Sequence, residues 1–116
     1  MIVEENEADA ELLLLMLHRA LPEVRLRTRG TLAEALEVLD ERPVELVFLA
    51  LGLPDAEEFE GLTKLRRVDE TMAIVMLTDV DDEELASRAL HAGAQDYLVK
   101  GHVPQDVIKR TVRYAL

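Results

Sequence analysis

The sequence contains no cysteine and no tryptophan, and it has only two tyrosines and two phenylalanines. The first absence removes disulfides, thiolate nucleophiles and thiolate zinc sites, and it fits a reducing compartment. With aromatics at 3% of residues, little is available to stack on a flavin. No apolar run approaches the roughly 20 residues that a membrane-crossing helix needs, and no signal-peptide series is present. A Gly-rich phosphate loop, a GxGxxG run and a Ser/His/Asp set are also missing, so neither a nucleotide-dependent nor a hydrolytic enzyme is expected. Basic residues are the minority: 13 Lys and Arg face 24 Asp and Glu, a net charge of −11. Such a chain repels phosphate backbones and anionic lipid, which argues against direct nucleic-acid or membrane binding. A soluble, cytoplasmic protein is expected. At 116 residues the chain makes one domain that buries about two-thirds of its unfolded surface without a disulfide or metal staple.

What is present is alternation of strand and helix. Leu46-Val47-Phe48-Leu49-Ala50 and Ala73-Ile74-Val75-Met76-Leu77 are apolar throughout, as strands buried on both faces are. Val24-Arg25-Leu26-Arg27-Thr28 alternates apolar with basic, the pattern of an edge strand with one wet face. Short strands are expected at Met1 to Val3 and Tyr97 to Val99. The first helix spans Glu7 to Leu21, with Leu12, Leu13, Met16, Leu17 and Ala20 inward and Leu14 and Leu15 on its solvent side. Thr31-Leu32-Ala33-Glu34 has capping-box spacing and opens a second helix whose Leu32, Ala35, Leu36 and Leu39 face inward. Three more helices follow, from about Glu57 to Val68 with Phe59, Leu62 and Leu65 inward, Asp82 to Ala92, and Pro104 to Leu116. Strict alternation implies an α/β fold: a five-stranded parallel sheet with right-handed crossovers and helices on both faces. An alternating second strand beside buried third and fourth strands points to order 2-1-3-4-5, the flavodoxin-like arrangement.

In such sheets the chemistry lies beyond the carboxyl ends of the strands. Here those ends carry Glu4 and Glu5, Ala50, Thr78 and Lys100. Two carboxylates, a hydroxyl and an ammonium suit a phosphoryl group and a hard divalent cation. A nucleophile is missing, because the methyl group of Ala50 can neither attack nor coordinate. Asp55 sits in the turn beyond the rim and is not expected to substitute as an acceptor. His18, His91 and His102 share no spacing and are expected at the surface. Lys100, Lys109, Arg110 and Arg113 make the C-terminal segment locally basic, as a solvated helix face is.

Val3-Glu4-Glu5-Asn6, Phe48 to Asp55, Leu77-Thr78 and Gly93-Ala94-Gln95-Asp96-Tyr97-Leu98-Val99-Lys100, taken together, resemble the CheY-like receiver domain of two-component response regulators. The resemblance covers essentially the whole chain. It implies that Glu4, Glu5 and the carbonyl of Gly52 face Mg²⁺. The second acid is more usually Asp, however, and a longer side chain crowds an octahedral site, so metal binding is weakened and no cofactor is expected. It implies that Ala50 stands where a carboxylate accepts phosphate from a kinase histidine. Thr78 and Lys100 then match the groups that contact the phosphoryl, and Tyr97 the aromatic that repacks with the hydroxyl. Gly101, where many members have Pro, and Asp79, where a small residue is usual, depart from the pattern.

The implied function is a non-enzymatic, phosphorylation-independent interaction or dimerisation module in phosphorelay signalling. Its partner would be a histidine kinase, another signalling domain or a second copy. Candidate surfaces are the face bearing Arg88, Lys109 and Arg113 and the Leu14/Leu15 side of the first helix. One alternative is an ordinary phospho-accepting receiver changed from Asp to Ala at position 50; a remote one is a flavodoxin-like small-molecule binder. Because Tyr114-Ala115-Leu116 lie inside an amphipathic helix, the domain is expected to belong to a longer protein.

Overall fold

The apolar runs become the centre of the sheet. A computed structural model describes residues 1–101 and 105–115, with side chains at 1–101 and 108–113. Its elements are β1 (Ile2–Val3), α1 (Glu7–Ala20), β2 (Thr28–Arg29), α2 (Leu32–Glu41), β3 (Leu46–Ala50), α3 (Glu60–Val68), β4 (Ala73–Thr78), α4 (Glu83–His91), β5 (Asp96–Val99) and α5 (Gln105–Ala115). The strands pair in parallel in the order β2-β1-β3-β4-β5, the flavodoxin-like order expected. The expected helix limits at Pro104 and Leu116, and His102, lie outside the described residues. Among the described residues, no helix is long and apolar enough to cross a membrane.

Side chains alternate across a strand, so each buried strand feeds two apolar layers. On one face Leu46 and Phe48 of β3 and Val75 and Leu77 of β4 pack with α1 and α5 through Leu17 and Ile108. On the other, Val47, Leu49, Ile74 and Met76 pack with α2, α3 and α4 through Ala35, Leu62 and Ala89. Every residue of β3 and β4 is buried, which is why neither run shows polar alternation.

Four expectations shift. The second strand was expected over Val24 to Thr28, but the ladder forms at Thr28–Arg29, because β1 has only two residues to pair with. The alternation still records one-sided burial: Val24 and Leu26 are half-buried, Arg25 and Arg27 exposed. In α1 the buried stripe is Ala10, Leu13, Leu17 and Ala20. Leu14, four residues after Ala10 and three before Leu17, therefore packs partly against the core. Leu12 falls off that stripe and is 50% exposed, like Leu15. In α2, Val38 is buried and Leu39 only partly so. The third helix starts at Glu60 rather than Glu57, because Glu58 adopts φ 41°, a left-handed turn conformation that helical backbone excludes.

Loops are tied down by charged groups aimed at backbone. The Arg66 guanidinium donates to the carbonyl of Gly93 at 2.7 and 3.0 Å and to that of Met72, joining α3 to the turns before β5 and β4. The Asp55 carboxylate accepts from Leu32 N at 2.8 Å and Ala33 N at 2.9 Å, so the turn after β3 closes the first turn of α2. The Ala33 and Leu32 N–H groups hold Asp55 below the usual carboxylate range. A carboxyl depressed on folding stabilises above its unfolded pKa, and that contribution is lost as pH falls through the folded value. Asp55→Ala should therefore cost about 1 kcal/mol at neutral pH, as loss of a helix cap does. Its urea midpoint should fall less steeply than the wild type's on acidification; parallel curves would contradict the assignment.

Candidate functional site

Register brings the strand ends together. Val3 pairs with Leu49, Ala50 with Leu77 and Thr78 with Val99, so Glu4, Ala50, Thr78 and Lys100 stand along one rim. The Lys100 N–H donates to the Thr78 carbonyl at 2.8 Å, which continues the β4–β5 ladder past the last strand residue.

Glu4 is 6% exposed, an unusual place for a carboxylate unless it is paired. Its Oε2 accepts from Asn6 N at 3.1 Å, and its Oε1 is in contact with the Lys100 ammonium. The same ammonium lies 3.3 Å from Asp9 Oδ2 and 3.8 Å from Asp79 Oδ1. Burial alone would lower the Lys100 pKa, but the hydrogen bond and charge of Glu4, with Asp79 and Asp9, outweigh it and hold the group above the ordinary lysine value. Asp9 reads in the sequence as an acid in a helix first turn, favourable to the dipole. Nothing in spacing links it to a lysine 91 residues away. Asn6 caps α1 by accepting from Asp9 N at 3.0 Å, and this fixes the turn that points Asp9 at the rim.

Thr78 is buried, and its Oγ1 accepts from Val80 N at 3.1 Å, a turn closed by a hydroxyl. The Val80 carbonyl in turn accepts from the Tyr97 hydroxyl at 2.9 Å, so Thr78 and Tyr97 grip the same loop. Ala50 is 3% exposed and packs in the apolar layer beneath α2 and α3. Gly52 and Glu5 are exposed, and among the described residues no side-chain hydrogen bond or ion pair involves Glu5.

The donor set does not fit Mg²⁺. That ion demands near-ideal octahedral oxygen geometry. Here Glu4 is committed to Lys100, Glu5 is at the surface and Ala50 offers no oxygen. Among the described residues, no three Asp, Glu, His or Cys side chains are arranged to hold a metal.

The expected surfaces also change. Arg88 pairs with Glu58 and lies 5.3 Å from the Phe59 ring centroid, so it belongs to the contact between α4 and the turn before α3. Lys109 and Arg113 remain exposed on α5. His18 and His91 are exposed on separate helices, as expected. A largely apolar groove lined by Leu12, Leu13, Met16 and Leu77 runs from α1 to the ion cluster.

Chemically the rim can bind charge and hold loops, but it presents no attacking atom at β3. Lys100→Met would strand the buried Glu4 carboxylate. Because the ammonium keeps some contact with water, the cost should be about 2–4 kcal/mol, below the full penalty for breaking a buried pair. Urea unfolding measures it, and a change under 1 kcal/mol, about the worth of a surface pair, would contradict the placement of the cluster.

Residues 1–112 match the response regulator receiver domain family. Transcriptional regulatory protein SrrA of Staphylococcus aureus is 32% identical over 110 residues, covering 95% of this chain and 44% of that protein. The chain thus spans less than half the length of this curated relative. Among solved structures, a putative response regulator from Chloroflexus aurantiacus J-10-fl is similar at TM-score 0.86 and 27% identity, covering 98% of this chain and 93% of that one. The receiver domain of NtrX from Brucella abortus shares the fold at TM-score 0.89 and 21% identity, covering 99% and 95%. With the sheet order, the rim and these matches in agreement, the chain belongs to the response regulator receiver domain family.

Proposed function

We propose that this receiver domain works without a phosphoryl group, as a protein-interaction or dimerisation module. The observation that carries the reading is Ala50. It ends β3, in register with Leu77 and one step from Glu4, where the family resemblance puts the phosphoacceptor carboxylate, and its methyl group is buried among apolar side chains. A phosphoaspartate would bias a two-state surface through new charge-assisted contacts. Without it the equilibrium is set by the chain's own contacts or by a partner. Thr78, Lys100 and Tyr97 keep the residue types of the phosphoryl-contact and switch positions, but here they hold the β4–α4 loop and the rim.

The partner is a histidine kinase, another signalling domain or a second copy of the chain. Leu12 and Leu15 on α1, together with Lys109 and Arg113 on α5, are the exposed groups that support protein contact. SrrA is by name a transcriptional regulatory protein, which supports a transcriptional output for a whole protein of this type.

A second reading takes Ala50 as a replacement for Asp in an ordinary phosphorelay receiver; the retained Thr78 and Lys100 favour it. Incubation with acetyl phosphate and Mg²⁺, followed by intact mass, tests both. The proposal expects no phosphoryl adduct on the wild type and none on Ala50→Asp. An adduct on the wild type overturns the proposal. Rapid, Mg²⁺-dependent labelling of Ala50→Asp alone establishes the second reading.

A further inference from the structure

We infer that Lys100 is a tethered cation that takes the place of a divalent ion at this rim, and that Asp9 is the positioning residue that keeps it there. The inference deepens the reading above and rests on it in one respect, the lack of a carboxylate at Ala50. Three carboxylates from three parts of the chain surround one ammonium: Glu4 after β1, Asp9 in the first turn of α1 and Asp79 after β4. Their contributions are unequal. The Asp79 side chain is 77% exposed and 3.8 Å away, so solvent screens most of its attraction. Glu4 is nearly inaccessible and in direct contact, and supplies most of the attraction.

Glu4 alone, however, leaves a flexible four-carbon stem free to swing about one contact. Asp9 removes that freedom, because its backbone is fixed by the Asn6 cap and its carboxylate meets the ammonium from the α1 side. The backbone contributes as well. Gly101, which follows Lys100, has φ +78°, an angle closed to proline, and the chain leaves β5 there with no side chain of its own against the cluster. A divalent ion seeking Glu4 Oε1 would have to displace an ammonium held on two sides. It would gain only one buried carboxylate oxygen, far short of an octahedral shell.

The chain's three lysines allow a direct test, since Lys64 and Lys109 are exposed and serve as internal references beside Lys100. In brief acetylation of the full chain read by mass spectrometry, Lys100 should react several-fold more slowly than either reference, because a paired ammonium is a poor nucleophile. Millimolar MgCl2 should leave all three rates unchanged. Asp9→Asn should speed Lys100 several-fold while Lys64 and Lys109 stay put; a rise at all three would report loss of fold, and the MgCl2 arm on the wild type then decides alone. Acceleration of Lys100 by MgCl2 would show the ion displacing the ammonium and would overturn the inference. So would a folded Asp9→Asn variant with an unaltered Lys100 rate. A phosphoryl adduct from acetyl phosphate, by contrast, would sink the inert-acceptor reading without touching these rates.

Discussion

A carboxylate buried at the end of β1 has to be answered by a cation, and the chain answers it with Lys100. Taking both charges out of water is costly, and their attraction repays the cost only when geometry is good and the remaining lone pairs are satisfied. Glu4 meets that condition with the ammonium on one oxygen and the Asn6 N–H on the other. Because Glu4 follows β1, Lys100 follows β5 and Asp9 belongs to α1, this pairing spans β3 and β4 and joins elements at opposite ends of the sequence. The ion cluster and the α1–α5 apolar layer hold the same face of the sheet.

The rest of the rim extends that constraint. Thr78 and Tyr97 bind the loop after β4 from two sides, Asp55 ties the turn after β3 to α2, and Arg88 reaches from α4 to Glu58 and Phe59. In a receiver these loops are where a phosphoryl group would act. Here each is held by a contact internal to the chain, and the residue at the head of β3 contributes only apolar packing. These internal contacts support the proposed reading, in which the surface meets a partner without prior phosphorylation.

The sheet was legible because burial leaves a mark on composition: β3 and β4 are apolar at every step but the closing Thr78, and the alternation of strands with helices leaves few topologies. The rim was legible for a related reason, since parallel strands deliver their last residues to one edge whatever lies between them. The missing details depend on angle and on distant partners. Leu13, Leu17 and Ala20 face inward as expected, but the stripe runs through Ala10, which leaves Leu12 at the surface and brings Leu14 partly into the core, and adjacent leucines carry no signal to choose. Asp9 looks like any acid in a first turn until the fold sets it against Lys100. Arg88 looks like a free surface charge until Glu58 adopts its left-handed turn.

On the proposed reading Glu4 is already held by Lys100, and the rim takes up no phosphoryl group. Amide NMR spectra recorded before and after adding beryllofluoride, a phosphoryl mimic, with Mg²⁺ test it most directly. The signals of Glu4, Thr78, Tyr97 and Lys100 should keep their positions. Concerted shifts at Thr78 and Tyr97 would mean that the rim still binds a phosphoryl group and switches, and would contradict that reading.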